Sequence, residues 1–251
     1  MMNSTIKNNL LKVVKPVVVT LFCFGIWELV ALCVDNSYFL PHVPETLSAL
    51  IKLFSIDNFI VYILTSLLRV AIGLILGIVF GVIFATVSHI LPLSNSLISP
   101  IISIMKATPI AAIILILWFT FTDASLAVFV VFLMVTPVVW QNVYDAYSSI
   151  SKDMLEVCDV FEFSYFKRLR LLIFPTVTKY LIPAVITSIG LAWKAEIAAE
   201  IMTYSNIGRS IQDFKTLSYD TASVFAWAII IVALSLILEN LTKYFLRRIK
   251  L

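Results

Sequence analysis

Ionisable side chains within apolar stretches are the residues of this sequence best suited to act chemically. The densest group follows Trp193, where Lys194, Glu196 and Glu200 stand in one apolar run. Charged groups are costly in lipid, so such residues usually face a cavity or a partner. At about 100° per residue, the two glutamates share one face of a helix, whereas Lys194 points roughly opposite. The pattern favours charge pairing or contact with a charged solute.

Single ionisable residues in other apolar stretches extend this set. Glu28, Arg69 and Lys106 have no partner visible in the sequence, so pairing inside a helix bundle and contact with cargo both stay open. Glu239 and Lys243 are four residues apart in the favourable order, which indicates a structural pair. The residues that we predict as candidates for a translocation path, with a structural role as the alternative, are Trp193, Lys194, Glu196, Glu200 and Lys106.

No residue is predicted to be catalytic. The sequence has no glycine-rich loop followed by lysine, so the chain is not expected to bind ATP, and no cofactor is expected in it. Cys23, Cys33 and Cys158 have neither disulfide-framework nor metal-ligand spacing, so no metal site is predicted. A membrane-embedded enzyme would require a nucleophile–base pair or metal ligands, and the sequence offers neither.

Composition places these residues in a lipid bilayer. Hydrophobic residues make up 61% of the chain and charged residues 13%, against about 25% charged in a soluble domain. We predict an all-α polytopic membrane protein with one domain over residues 1–251 and six transmembrane helices. No nucleic-acid partner is expected. The predicted spans cover residues 17–34, 59–88, 94–122, 125–143, 178–203 and 221–245.

Prolines in the chain predict helix breaks, and regularly spaced glycines predict close helix packing. Pro100 and Pro109 are predicted to break the third span, and the prolines in the polar connection 35–58 are expected to break any helix there. Small residues every four positions in the second span predict close packing against another helix, in the same chain or in a second one. This helix-packing stripe comprises Gly73, Gly77, Gly81 and Ala85.

The lysines and arginines in the connections and near the ends of the spans concentrate on one side of the predicted topology. Because positive charges favour the cytoplasmic side, both termini and the loop 151–175 are predicted to be cytoplasmic, in a prokaryotic inner membrane. The cytoplasmic set is Lys7, Lys12, Lys15, Lys152, Lys167, Arg168, Arg170, Lys179, Lys243, Arg247, Arg248 and Lys250, and the opposite set is Lys52, Arg209 and Lys215.

The loop 151–175 reads as two short helices in tandem. Ser151 is placed to cap the first helix, and Ser164 to cap a second that stops at Pro175. The loop could fold back on its own protein, or it could dock a soluble partner by laying a helix in a groove. The apolar stripe that would make this contact is Met154, Val157, Cys158 and Phe161.

The loop resembles the cytoplasmic signature of permease subunits in bacterial ABC importers. That signature reads E-A-A, three residues, G, nine residues, I-x-L-P, and Glu156 and Pro175 match its ends with the full spacing kept. Glu162 replaces the glycine, at a turn where we expect positive φ and a cost of about 1 kcal/mol for a side chain. The residues assigned to ATPase coupling are Met154, Glu156, Val157, Cys158, Asp159, Phe161, Glu162 and Pro175.

The resemblance extends over residues 38–245. Four pieces are similar to nitrate/sulfonate/taurine-type permeases, in matching order: Phe39-Leu40-Pro41-His42-Val43-Pro44, Ser66-Leu67-Leu68-Arg69-Val70-Ala71-Ile72-Gly73, Pro109 with Ile116-Leu117-Trp118-Phe119, and Ala199-Glu200-Ile201-Met202. The resemblance implies a homodimer with two cytoplasmic ATPase subunits, which hold ATP and Mg, and an extracytoplasmic substrate-binding protein. It also implies a small anionic or zwitterionic cargo. The alternative is a secondary transporter that uses an acid such as Glu196 for ion coupling.

Overall fold

The computed structural model describes residues 4–248 of the chain, and the side chains of residue 14 and residues 18–245. All secondary structure in this range is helical, which confirms the predicted all-α fold class. The terminal charges of the topology prediction, Lys7, Lys12, Lys15, Arg247, Arg248 and Lys250, lie outside the described side chains.

The helices are α1 Ser4–Val34, α2 Val43–Leu53, α3 Phe59–Ile90, α4 Pro92–Ala107, α5 Ile110–Trp118, α6 Asp123–Ser148, α7 Lys152–Val160, α8 Tyr165–Arg168, a π-helical segment Leu169–Ile173, α9 Phe174–Thr203, α10 Asn206–Thr216 and α11 Thr221–Arg248.

Four segments of the described chain are long and apolar enough to cross a membrane, and a bent pair of helices raises the number to five. The apolar part of α1, Val18–Val34, is shorter than these. The chain is therefore a multi-pass membrane protein, while the count of six spans stays a prediction. The four segments are Phe59–Ile90, Asp123–Ser148, Tyr165–Thr203 and Thr221–Phe245.

The predicted third span is the bent pair α4–α5, whose axes differ by 99°. Thr108 at the break has φ −77° and ψ 125°, the extended conformation that a following proline imposes. Pro109 therefore ends α4 as predicted. The second predicted break was wrong, because Pro100 lies inside α4 without interrupting it.

Two further predictions about prolines were also wrong. The connection 35–58 contains α2, because Pro44 falls in the first helical turn, where the missing N–H removes no helical hydrogen bond. The second loop helix does not stop at Pro175. Phe174 N–H bonds to Leu169 O, five residues back, and this π-helical turn leads from α8 directly into α9. Pro175 thus lies in the first turn of a long helix and does not terminate one.

Contacts divide the chain into two compact units, so the single-domain assignment over residues 1–251 stays a prediction. One unit comprises residues up to Phe59 together with Ile211–Ile230. In it, Glu28 of α1 accepts the Val43 N–H at the start of α2, 2.7 Å away, and its other oxygen lies 2.9 Å from His42 Nδ1. Trp27 donates to Pro41 O at 3.0 Å. The carboxylate of Glu28 therefore caps α2, which orders the connection 35–58.

The other unit comprises Ile60–Ser210 with Ile231–Leu251. Its buried centre is α6, whose inward face carries valines at four-residue spacing. A Cβ built on Gly73 would lie 2.6 Å from Val131 Cβ, and one on Gly77 equally close to Val135 Cβ. Gly81 meets Val139 in the same way. The glycine stripe of α3 therefore packs against α6 of the same chain, since any side chain there would collide with a valine.

Candidate functional site

A fully buried pair of acids occupies the C-terminal part of α9. Glu196 and Glu200 both have 0% of their surface exposed. Arg69 of α3 places Nη1 3.5 Å from Glu200 Oε1 and 4.0 Å from Glu196 Oε1. The two acids share one face as their spacing predicts, and their partner is an arginine more than a hundred residues away in sequence. The sequence marked all three residues as candidates but did not indicate that they contact one another.

Hydrogen bonds concentrate on one oxygen of this pair. Glu200 Oε1 accepts from Ser66 Oγ at 2.7 Å and from Asn206 Nδ2 at 2.8 Å, in addition to its contact with Arg69. Arg69 also donates to Ser205 Oγ at 3.4 Å. The network joins α3, α9 and the start of α10. Sequence reasoning missed Ser66, Ser205 and Asn206, because small polar residues near helix ends carry no signal of a distant partner.

Charge and hydrogen bonding in this cluster are unequal between the two acids. Within the described residues, both oxygens of Glu196 and Oε2 of Glu200 have no hydrogen-bond partner. One guanidinium faces two carboxyl groups. Since burying an ionised group without compensation is expensive, Glu200 is the principal counter-ion of Arg69, and Glu196 is the poorly compensated member.

Gly208 of α10 makes this cluster possible. A Cβ built on it would lie 2.1 Å from the carbonyl carbon of Glu200 and 2.3 Å from its oxygen. Only glycine lets the start of α10 approach the backbone of α9 this closely. Tyr204, between the two helices, has φ 54° and ends α9 in the left-handed conformation. This tight turn brings Asn206 back to Glu200.

The other translocation-path candidates lie elsewhere. Trp193 is fully buried and donates Nε1–H to Ile231 O of α11 at 3.0 Å. Lys194 is exposed and lines a cavity with Glu239 and Lys243. Lys106 is exposed at the end of α4 and donates to Gln141 Oε1 of α6 at 2.9 Å. In the described part of the chain, no hydrogen bond or ion pair joins either lysine to the two acids.

The loop 151–175 has the two caps that its sequence predicts. Ser151 Oγ accepts from Met154 N–H at 3.3 Å, and Ser164 Oγ accepts from Lys167 N–H at 3.4 Å. Asp159 of α7 and Arg168 of α8 form an ion pair that links the two helices. The loop is therefore a defined helix–turn–helix, and its second helix is continuous with α9.

Glu162 occupies the turn between these helices with φ 49°, the positive value that we expect at this position. Its N–H bonds to Asp159 O at 3.0 Å, and Phe163 N–H bonds to Cys158 O at 2.9 Å. This pair of bonds is the Schellman motif that ends many helices, and its left-handed residue is usually glycine. Glu162 adopts this conformation in spite of its side chain.

The apolar stripe of α7 divides between two surroundings. Cys158 is 5% exposed and lines a cavity together with Leu172 of the π-helical segment. Phe161 and Val157, in contrast, are 68% and 52% exposed. Sequence reasoning assigned Cys158 to the same surface as these two, and the structure turns it inward. It also missed exposed apolar side chains beside the stripe, which are Val160, Tyr165 and Phe166.

The described residues form helices only, several of them long and apolar enough to cross a membrane, and the matching family is a class of membrane transport permeases. The chain is a member of the family of binding-protein-dependent transport system inner membrane components, whose family model matches residues 77–251. The resemblance to importer permeases seen in the sequence is therefore confirmed at the level of the family.

One curated relative is the putative aliphatic sulfonates transport permease protein SsuC of Bacillus subtilis (strain 168). It is 24% identical over 155 residues, which cover 61% of this chain. The match spans 55% of the relative's length, about half of that protein.

Proposed function

We propose that the chain is the transmembrane permease subunit of an ATP-driven importer, and that it passes a small anionic or zwitterionic solute delivered by an extracytoplasmic binding protein. The observation that carries the proposal is the loop 151–175, which exposes Val157 on the short helix α7 and Phe161 at its end, outside the apolar spans. Large apolar side chains exposed to water on a polar loop favour a protein partner. The family supplies the kind of partner.

The proposed partners are two cytoplasmic ATPase subunits, which hold ATP and Mg, and a second copy of this chain. The chain itself performs no catalysis and carries no cofactor in this scheme. Because α8, the π-helical segment Leu169–Ile173 and α9 are continuous, a displacement of the loop would pass directly into the helix that bears Glu196 and Glu200. The coupling set is Met154, Glu156, Val157, Asp159, Phe161, Glu162 and Pro175, with Cys158 acting as an internal packing residue.

The proposed orientation places the loop and both termini in the cytoplasm, with the chain in a prokaryotic inner membrane. Lys152, Lys167, Arg168 and Arg170 lie in or beside the loop, and positive charge of this kind favours the cytoplasmic side. The segments 35–58 and 204–219 then face outward. In an importer this is the side from which a binding protein delivers cargo.

The proposed cargo is a small organic anion such as an aliphatic sulfonate. The relative SsuC bears that substrate class in its printed name. In the present chain, Lys194 is a cation within a spanning helix that has no ion pair among the described residues. Lys194 and Lys106 are the exposed path candidates. Trp193, Glu196 and Glu200 are buried and would meet a solute only after α9 moves.

The loop is tested by Phe161→Asp in the chain co-expressed with its ATPase. A carboxylate cannot enter an apolar groove without a large desolvation cost, so co-purification of the ATPase should fall by about tenfold or more. The permease itself should stay in the membrane, since Phe161 is exposed. The matched control is Leu217→Asp, another exposed apolar residue, on the side assigned to the exterior. Unchanged ATPase recovery with Phe161→Asp refutes the docking role.

A second candidate function is ion-gradient-driven transport, favoured by the buried carboxyl group of Glu196, whose oxygens have no hydrogen-bond partner among the described residues. It predicts solute uptake into liposomes that contain this chain alone, driven by a proton or sodium gradient. Glu196→Gln should abolish that uptake, because the neutral amide takes up no cation. Uptake that requires ATP and the ATPase, and that ignores both gradients, eliminates this candidate.

A further inference from the structure

We propose that the cavity between α9 and α11 is a binding site for an organic anion, whose anionic oxygens lie against Lys194 and whose aliphatic part lies against the apolar wall. The cavity measures about 540 Å³ and is lined by Thr187, Gly190, Leu191, Lys194, Glu239 and Lys243. A cavity of this size holds a small organic molecule. The inference rests on the proposed function only for the source of the anion.

Unequal charge in the cavity is the first argument. Lys243 forms an ion pair with Glu239, its neighbour one turn away on α11. Lys194 has no hydrogen bond or ion pair in the described part of the chain. Two ammonium groups therefore face one carboxylate, and the cavity holds one uncompensated positive charge. An anionic ligand would complete the balance.

The depth of Lys194 is the second argument. The helix α9 has 30 residues, and Lys194 lies about 8 Å from its midpoint along the axis. The half-thickness of the hydrocarbon core is about 15 Å, so if α9 is centred in the bilayer the backbone of Lys194 lies inside the core. A charge at this depth requires a counter-charge or a polar cavity. The acids on its own helix cannot serve, because Glu196 and Glu200 are buried on another face against Arg69.

The open space beside Gly190 is the third argument. A Cβ built on it meets nothing within 4 Å, so no neighbouring helix of the described chain requires a glycine there. Glycine in a helix interior is unfavourable relative to alanine. Its place in the cavity wall, one turn before Lys194, keeps open the space where a ligand would lie.

The ligand chemistry follows from these groups. A sulfonate, carboxylate or phosphate group satisfies the ammonium of Lys194, and Leu191 and Ile186 supply apolar surface for an alkyl chain. Two sources share this chemistry: a transported organic anion and the phosphate group of an anionic phospholipid. The cavity accepts either by the same contacts, and the experiment must separate them.

The test is calorimetric titration of the full-length permease, in phosphatidylcholine nanodiscs, with n-butanesulfonate. Lys194→Met removes the charge, and Gly190→Leu fills the cavity without altering charge. Each should weaken binding by about tenfold or more. The matched controls are Lys179→Met, an exposed lysine on the same helix outside the cavity, and Gly25→Leu, whose Cβ position is also open. Both controls should bind as the unaltered protein does.

A second arm uses nanodiscs that contain phosphatidylglycerol and measures retained lipid by native mass spectrometry. Lipid retention that depends on Lys194 and abolishes butanesulfonate binding assigns the site to a phospholipid. Butanesulfonate binding that persists in these discs assigns it to cargo. The inference is overturned if neither probe depends on Lys194, or if Lys194→Met disrupts the dimer while binding is unchanged, since Lys194 then pairs with an acid of a second copy. The proposed function is tested separately by ATPase co-purification with Phe161→Asp, so a failure of one proposal is distinguishable from a failure of the other.

Discussion

Arg69 of α3 and Glu200 of α9 form a buried ion pair, with Nη1 3.5 Å from Oε1. The side chain of Arg69 is 14% exposed and that of Glu200 is 0% exposed. Removal of one member of such a pair leaves an uncompensated buried charge, whereas removal of both does not. The pair therefore stabilises the junction of α3, α9 and α10 only as a unit.

Arg69→Met should destabilise the permease by about 3–5 kcal/mol, because it strands two buried carboxyl groups without a cation. Arg69→Met combined with Glu200→Gln should recover a large part of that loss. Thermal unfolding of the purified protein, followed by size-exclusion chromatography, measures both. The control is Arg170→Met at an exposed position, expected to change stability by about 0.5 kcal/mol or less. Equal melting temperatures for Arg69→Met and the unaltered protein would contradict the assignment.

Gly208→Ala should detach α10 from α9. The added Cβ would lie 2.1 Å from the carbonyl carbon of Glu200, and backbone cannot move aside as a flexible side chain can. The expected cost is on the order of 3 kcal/mol. Limited proteolysis within residues 206–216 would report the detachment. Gly190→Ala is the matched control, since its Cβ meets nothing within 4 Å and should be neutral or mildly stabilising.

Glu162→Gly should stabilise the loop 151–175 by about 1 kcal/mol, because glycine adopts the φ of 49° without strain. The hydrogen bonds of the Schellman motif involve only backbone atoms and are retained. Glu156→Gly is the contrasting variant: it lies within α7, where glycine costs about 1 kcal/mol. Hydrogen exchange of the loop amides distinguishes them. Faster exchange in Glu162→Gly would show that the glutamate side chain makes a compensating contact.

The orientation of the loop can be read by cysteine labelling in intact cells. Phe166→Cys and Leu217→Cys, in a background that lacks Cys23, Cys33 and Cys158, place single thiols at positions that are 78% and 72% exposed. A maleimide that does not cross membranes should label position 217 and spare position 166. Permeabilised cells, in which both positions should react, provide the control. The reverse pattern in intact cells would place the loop outside and refute the importer scheme.

The sequence by itself determined the features that depend on neighbours within a few residues. Helical periodicity put Glu196 and Glu200 on one face and Lys194 off it, and both loop caps follow from a serine before a helix. The positive φ at Glu162 was expected from the resemblance, whose signature has glycine at this position. These features are local, because the energies that set them act within one or two helical turns.

The tertiary structure alone decided which helices meet. In it, Arg69 pairs with Glu200, and the glycines of α3 pack against the valines of α6. Cys158 is buried, whereas Phe161 is exposed. The loop is also continuous with α9, because a π-helical turn connects α8 to α9 and the helix does not end at Pro175. Such outcomes depend on packing summed over whole helix faces, and many pairings satisfy the same local pattern. Close-packed interiors select one of them, because steric fit and charge compensation must hold at every contact at once.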